Sequence, residues 1–305
     1  MHKKWIKYVC EEFLYPDYVT PQLQDALTAI DESKDAKEIF QSILDDYSTD
    51  YNTDFKGMMK QMDDIAKITG IHAFVVYLLF CILFLKPLKT FHERQNLQES
   101  IWRETCLDVK YKMYHCVNIY KVCGIFDMDM EWMARYYKVD RFPMGRLQFE
   151  IVKLEEDRVI QGISLKKGSP MINVHIPRSG EKLDRNAVYA SYARGAEFFK
   201  DLFPDDYVVF CCESYFFHES VLNILKEGSN IHQFVSDYTV FPYKDDKDYF
   251  EMWRVFDCYV DESVVDTLPT NTSFRRDLVN YLKTGKPVGE GRGIFIYKPL
   301  RHNHL

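Results

Sequence analysis

The stretch RLQFEIVKLEEDRVIQGISLKKGSPMINVHIP, residues 146–177, decides how the second half of the chain is read. Leu147, Phe149 and Ile151 alternate with Arg146, Gln148 and Glu150, which is the period of a strand with one buried face. Glu155-Glu156-Asp157 reads as a turn and Val159–Leu165 as a second strand. Lys167-Gly168-Ser169-Pro170 turns the chain again, and Met171–Ile176 is a third strand that Pro177 stops, since proline cannot donate to a ladder.

Further along, Asp184 is placed to cap a helix that turns Val188, Tyr192, Gly195, Phe199 and Leu202 inward. Val208–Cys212 is an apolar strand, and Val221–Leu225 is helical. Tyr238–Tyr243 and Tyr249–Phe256 read as two strands joined by the charged turn Asp245–Asp248. A helix over Phe274–Leu282 ends at Gly285, and Gly293–Tyr297 is the last strand.

Before Phe142-Pro143 the rhythm is helical. Thr20 is expected to cap a helix whose first residue is Pro21, followed by Leu23, Ala26, Leu27 and Ile30 on one face. Ile39, Phe40, Ile43, Leu44 and Tyr47 repeat the spacing, as do Phe55, Met58, Met59, Met62 and Ile65. A longer helix carries Trp102, Val109, Met113, Cys116 and Tyr120, and a short one covers Glu131–Tyr137. Between them, Ile71–Leu85 (IHAFVVYLLFCILFL) is almost wholly apolar. It is shorter than the ~20 residues a membrane span needs, so a central core helix is expected and no membrane partner. The fold class is therefore α+β: a helical domain over residues 1–140, then a mixed α/β domain over 141–305.

The net charge of −7, with no Lys/Arg-rich run, gives no footprint for nucleic acid. Apolar residues make up 47% of the chain, enough for packed cores rather than long disorder. Eight cysteines without a CxxC pair, and no apolar signal segment after Met1, point to reduced thiols in a cytoplasmic protein. The histidines at 115, 218, 232, 302 and 304 have no metal-ligand spacing, so no metal is expected.

Several ordered blocks go beyond pattern: Met144–Glu150, Val174–Pro177 with Gly180, Ala196–Phe199 followed by Phe203-Pro204, and Cys212-Glu213-Ser214. Ser229-Asn230-Ile231 with Phe234, then Leu268-Pro269 with Thr272, Arg275 and Arg276, complete the series, while Asp108 and Gly124-Ile125 before Trp132 add to it upstream. Together they resemble a family of two-domain bacterial acyltransferases with a helical N-terminal domain and a GNAT-like C-terminal domain. The strand and helix order matches the GNAT core from its second strand to its seventh. The resemblance implies a GNAT-like acyl-CoA N-acyltransferase domain and an acyl-CoA cosubstrate, acetyl-CoA or another acyl-CoA. It also implies a small-molecule acyl acceptor, an amine, that attacks the thioester directly in the gap where the fourth and fifth strands splay.

In that frame, His175 lies near the end of the strand equated with the fourth and points to the same face as Asn173. It is either the base or a buried histidine ordering the Pro177 turn. Glu213, Ser214 and Tyr215 follow the strand equated with the fifth. Glu213 is a second candidate base, Tyr215 a candidate acid for the leaving thiolate, and Ser214 either a hydrogen-bonding group or a helix cap. Ile176, Arg178, Ser179 and Gly180 are the cofactor-binding candidates. The usual Gln/Arg-x-x-Gly-x-Gly/Ala phosphate loop is represented only by Arg178-Ser179-Gly180-Glu181-Lys182, with one glycine, and an Asp184 cap would oppose an anion there. Arg275 and Arg276, in the first turn of a helix, either are solvated or meet an acidic partner or an anionic ligand. Gly285–Gly293 (GKPVGEGRG) is read as a mobile hairpin turn, not a P-loop, because a strand follows it. Two further readings stay open: a GNAT-like ligand-binding or regulatory protein without turnover, and a hydrolase acting through Cys212 or Ser214.

Overall fold

A computed structural model describes residues 1–244, 249–286 and 288–298. The expected turn Asp245–Asp248, Pro287 of the glycine run, and His302 and His304 lie outside these residues. The chain divides into two compact units, Met1–Phe142 and Pro143–Leu305.

The first unit is built from α1 (His2–Glu12), α2 (Val19–Glu32), α3 (Lys34–Thr49), α4 (Phe55–Thr69), α5 (Ala73–Arg94), α6 (Glu99–Tyr120) and α7 (Asp127–Tyr137). Helix α1 is additional to the sequence reading. Helix α2 starts at Val19 with no side-chain cap, so Thr20 does not cap it and Pro21 is its third residue, within the first turn. The first four N–H groups of a helix have no intrahelical partner, so a proline is tolerated there as well as at the first position. The apolar stripes of α2, α3 and α4 are buried as their spacing requires.

Helix α5 is long and apolar enough to cross a membrane by length and composition, and here Val75–Leu85 are buried without a break. Aromatic side chains fasten it. Trp5 and Trp102 donate their indole N–H groups to the carbonyls of Ile82 and Leu85, both at 2.8 Å, and Tyr137 Oη donates to Cys81 O at 2.9 Å. Gly124 passes so close to the start of α5 that a Cβ would stand 2.5 Å from the Phe74 carbonyl oxygen, and Ile125 N donates to that oxygen at 2.9 Å. Between α6 and α7, buried Lys112 and His115 both meet Asp129, at 2.9 and 3.3 Å.

The strand β1 (Arg141–Met144) runs across the boundary, and the second unit continues with β2 (Leu147–Lys153), β3 (Arg158–Ile160), β4 (Ile163–Leu165), β5 (Pro170–His175), α8 (Arg185–Phe198), β6 (Val208–Ser214), α9 (Glu219–Leu222), α10 (Asn230–Val235), β7 (Thr239–Lys244), α11 (Trp253–Phe256), α12 (Ser273–Leu282) and β8 (Glu290–Tyr297). Six strands form one sheet in the order β1-β2-β5-β6-β8-β7. All the pairings from β2 to β7 are antiparallel except β5 with β6, which is parallel.

One face of the sheet is covered by α8. Tyr192 packs on Phe210 and Phe295, with ring centroids 4.8 and 5.4 Å apart, and a Cβ on Gly195 would meet the Phe149 ring at 3.1 Å. On the other face Ile160 and Leu165 pack with Met171, Val209, Ile294 and Ile296.

Several expectations are corrected. Val159–Leu165 is not one strand: Gln161 and Gly162 both have positive φ, the backbone of a two-residue hairpin turn, and they split it into the β3–β4 pair. Tyr249–Phe256 is not a strand. It forms a 3-10 turn at Phe250–Met252 and then α11, because Met252, Val255 and Phe256 share one side that packs with Leu278 and Val279 of α12. Leu202 is 45% exposed, since a 3-10 turn at Lys200–Leu202 leaves the axis of α8 before it. The polar side of β2 is not solvated, for Gln148 and Glu150 are 1% and 7% exposed. The glycine run is no hairpin turn where it is described at 290–293, because these residues already belong to β8.

Candidate active site

The parallel pair β5 and β6 is joined only at Ile172–Phe210 and Asn173–Cys211. Beyond that point β5 continues to His175 and β6 to Ser214, and no register joins them among the described residues. The two strands part at their carboxyl ends, where ligands of open α/β sheets gather.

A chain of polar side chains crosses the sheet at this fork. Cys211 Sγ donates to Asn173 Oδ1 at 3.8 Å, and Asn173 Nδ2 donates to Glu150 Oε1 at 3.1 Å. The same Glu150 oxygen lies 2.8 Å from His175 Nε2. As a carboxylate only accepts, this contact makes Nε2 the donor. The Glu150 and His175 side chains are 9% and 16% exposed, so little water competes for the bond. Burial pushes the Cys211 thiol up to about 12, which keeps its hydrogen in place for Asn173. Gln148 stands opposite His175 in the register, and its Oε1 is buried without a hydrogen-bond partner among the described residues. Asn173 and His175 share a face, as alternation requires. Glu150 and Gln148 were missed as site residues because only the register of β2 on β5 brings them alongside.

The end of β6 is arranged differently. Glu213 faces the surface and is held by Arg292 at 3.0 Å, which also bonds Glu155 at 2.9 Å. Ser214 caps the 3-10 turn Tyr215–Phe217, accepting from Phe216 N at 3.2 Å. Tyr215 follows it. Burial raises its hydroxyl pKa, opposed by the charges of Arg254 and Arg178 and reinforced by Glu251, so the group stays protonated. Cys212 lies on the opposite face from Cys211, and burial keeps its thiol far above the ordinary range.

After His175 the chain enters the loop of the cofactor-binding candidates. Arg146 braces this loop by donating to Pro177 O at 2.8 Å and to Lys182 O at 3.2 Å. Gly180 has a φ of +79°, and Ser179 Oγ accepts from Glu181 N at 3.3 Å. Arg178 is ion-paired with Asp257. Asp184 caps α8, accepting from Asn186 N and Ala187 N at 3.1 Å each, so the first N–H groups of that helix already have a carboxylate. Ile176 and Leu183 line a cleft of about 390 Å³ together with Phe216 and Leu225, and Arg146 and Lys226 give it basic groups. Arg275 is not solvated: it donates to Asn271 Oδ1 and Val255 O, both at 3.0 Å, and reaches Asp257 at 3.4 Å. Arg276 donates to Thr270 O at 3.1 Å.

A family profile described as a GNAT-like C-terminal domain matches residues 142–295. No curated protein matches the sequence significantly. Among solved structures, an acyltransferase mutant in complex with octanoyl-CoA is similar with a TM-score of 0.70 at 18% identity, over 95% of this chain and 86% of that one. An acyltransferase in complex with decanoyl-CoA and teicoplanin gives 0.61 at 18% identity, over 95% and 99% of the two chains. An acyltransferase in complex with decanoyl-CoA gives 0.62 at 16% identity, over 95% and 98%. At such identities the likeness is one of fold, and it spans the helical region as well as the GNAT-like domain.

Proposed function

The chain belongs to the GNAT-like C-terminal domain family, and on that premise we propose that it moves an acyl group from an acyl-CoA donor to an amine on a small-molecule acceptor. The observation that carries this reading is the Glu150–His175 pair, 2.8 Å apart, at the fork of β5 and β6. The acceptor nitrogen attacks the thioester carbonyl carbon, the C–N bond forms and the C–S bond breaks. His175 takes the proton that the nitrogen loses, while Glu150 orients the ring and balances the charge it gains. The orphaned Gln148 Oε1 offers an acceptor for a second N–H of the amine. Tyr215, held protonated, donates a hydrogen bond to the departing sulfur, and the proton taken by His175 passes to the thiolate. The cleft, mostly apolar with Arg146 and Lys226 beside Glu181 and Asp277, suits the acyl chain of such a donor. Similar structures hold octanoyl- and decanoyl-CoA, and one holds teicoplanin, which makes medium-chain thioesters and large natural-product amines the first substrates to try.

The test is release of CoA thiol from acetyl-, octanoyl- and decanoyl-CoA in the presence of candidate amines. His175→Ala and Glu150→Gln are each expected to lower kcat by about 10²-fold or more with CoA affinity unchanged. Wild-type rates in both variants would remove the pair from the mechanism. The Asp184 cap and the Arg178–Asp257 pair occupy groups that a donor phosphate would use, which favours a second reading, a ligand-binding protein without turnover. That reading requires CoA to bind and no amine to release its thiol.

A further inference from the structure

Two arginines converge on one carboxylate beside the cleft. Arg178 comes from the loop after β5 and Arg275 from the first turn of α12, and both meet Asp257. Ile176 and Glu181 flank Arg178, Ser273 and Phe274 precede Arg275, and all four line the cleft. Arg178 and Arg275 share the single carboxylate of Asp257, with Glu181 and Asp277 on the wall of the cleft, and the N-terminus of the ten-residue α12 adds partial positive charge beside them. An arginine in the first turn of a helix is unfavourable unless an anion sits with it.

Asp257 is itself in an unusual place. It terminates α11 with φ +61°, a left-handed conformation that glycine adopts without strain. Its side chain is 26% exposed and that of Arg178 is 30% exposed, although Arg178 Nη1, which makes the contact, is itself buried. Arg275 is anchored independently through Val255 O and Asn271 Oδ1, both at 3.0 Å, and would keep its place if Asp257 withdrew. Arg178 is near enough to the end of β6 for its charge to act on the Tyr215 hydroxyl.

From this convergence we infer that Asp257 is an internal stand-in for the diphosphate of the donor, occupying its anion position until acyl-CoA displaces the carboxylate from Arg178 and Arg275. The inference rests on the acyl-CoA reading above and adds a self-competing contact to it. It accounts for the incomplete glycine loop: the anion is held by two side chains from separate elements in place of a cradle of backbone N–H groups.

The experiment is calorimetric titration of the full chain with inorganic pyrophosphate and, separately, with CoA. Asp257→Asn keeps the size of the side chain and tolerates positive φ while removing the charge. It is expected to bind both ligands about tenfold more tightly than the wild type, the effect of deleting one unit charge from a partly exposed site. Arg178→Gln in the Asp257→Asn background is expected to return the affinity to the wild-type level or below. If Asp257 merely braces the loop, Asp257→Asn binds pyrophosphate and CoA equally or more weakly, and the inference falls. It falls too if pyrophosphate binds neither protein. Asp257→Gly, which also suits a left-handed residue, serves if the asparagine variant does not fold. Tighter pyrophosphate binding without acyl transfer to any amine would overturn the acyltransferase reading and leave the anion site standing.

Discussion

Cys211 and Cys212 are neighbours in β6, yet they face opposite sides of the sheet and serve different surroundings. Cys211 donates to Asn173 in the polar chain that includes His175, whereas Cys212 lies buried on the side covered by α8. With its pKa pushed to about 12, Cys211 holds a thiolate fraction of ~10⁻⁴ at pH 8, and burial raises the Cys212 thiol well above the ordinary range too. Ser214 is spent as a cap. These features give no support to a hydrolase acting through Cys212 or Ser214. Burial acts with a different consequence on His92 of α5. It is 4% exposed, Nδ1 has no hydrogen-bond partner among the described residues, and burial pulls its pKa down to about 4. Below about pH 6.5 the unfolded chain takes up a proton that the folded imidazole refuses, so stability is full above that pH and is lost as pH falls toward 4. The loss can reach about 3 kcal/mol for this one group. Urea unfolding at pH 7 and pH 4.5 should show a larger drop in the wild type than in His92→Gln. Equal drops in the two proteins would show that His92 contributes nothing.

At the scale of elements, β8 is fitted between its neighbours by what it lacks. A Cβ on Gly291 would stand 2.3 Å from the Phe217 carbonyl oxygen, and one on Gly293 would stand 2.8 Å from Tyr238 Cβ. Gly285 meets nothing within 4 Å and is needed only for its φ of +70°. Gly291→Ala is therefore expected to destabilise by about 1–3 kcal/mol through overpacking, the range seen when atoms are forced into filled space. Gly285→Asn, at a position asparagine can adopt, should be close to neutral. Chemical denaturation of the two variants checks the order, and a neutral Gly291→Ala would mean that the turn after β6 can move aside. Composition alone does not separate these glycines, and a glycine-rich run before a strand reads as a mobile hairpin turn. Helices α2 to α7 are legible, unlike α1, because a 3.6-residue stripe reports burial on one side whatever the partner. The segment 249–256 was not, because its apolar residues fit both periods and the packing of Met252 and Phe256 on α12 decided between them. His175 could be placed on a face by alternation, but its bond to Glu150 depends on a strand register that no local pattern encodes.

For the whole molecule, the order of strands in the sheet departs from their order in the chain. The parallel step from β5 to β6 and the late arrival of β8 are both non-local, and the sequence signals for them are spread over many residues. β8 pairs through seven residues with β6 and also closes on β7, so it is an interior strand although no later strand is described. Truncation after Gly289 should leave the apolar edge of β6 open, with aggregation or binding of a hydrophobic dye as the readout. A truncated chain that stays monomeric and keeps its aromatic circular dichroism would mean that β6 needs no partner on that side. The same placement bears on synthesis. As the chain leaves the ribosome, β2, β5 and β6 can already assemble the fork that carries His175, while β6 and β7 wait with unpaired backbone for residues 290–297 to emerge. A lesion in that last strand would then be met by chaperones and proteases before it was ever felt by a substrate.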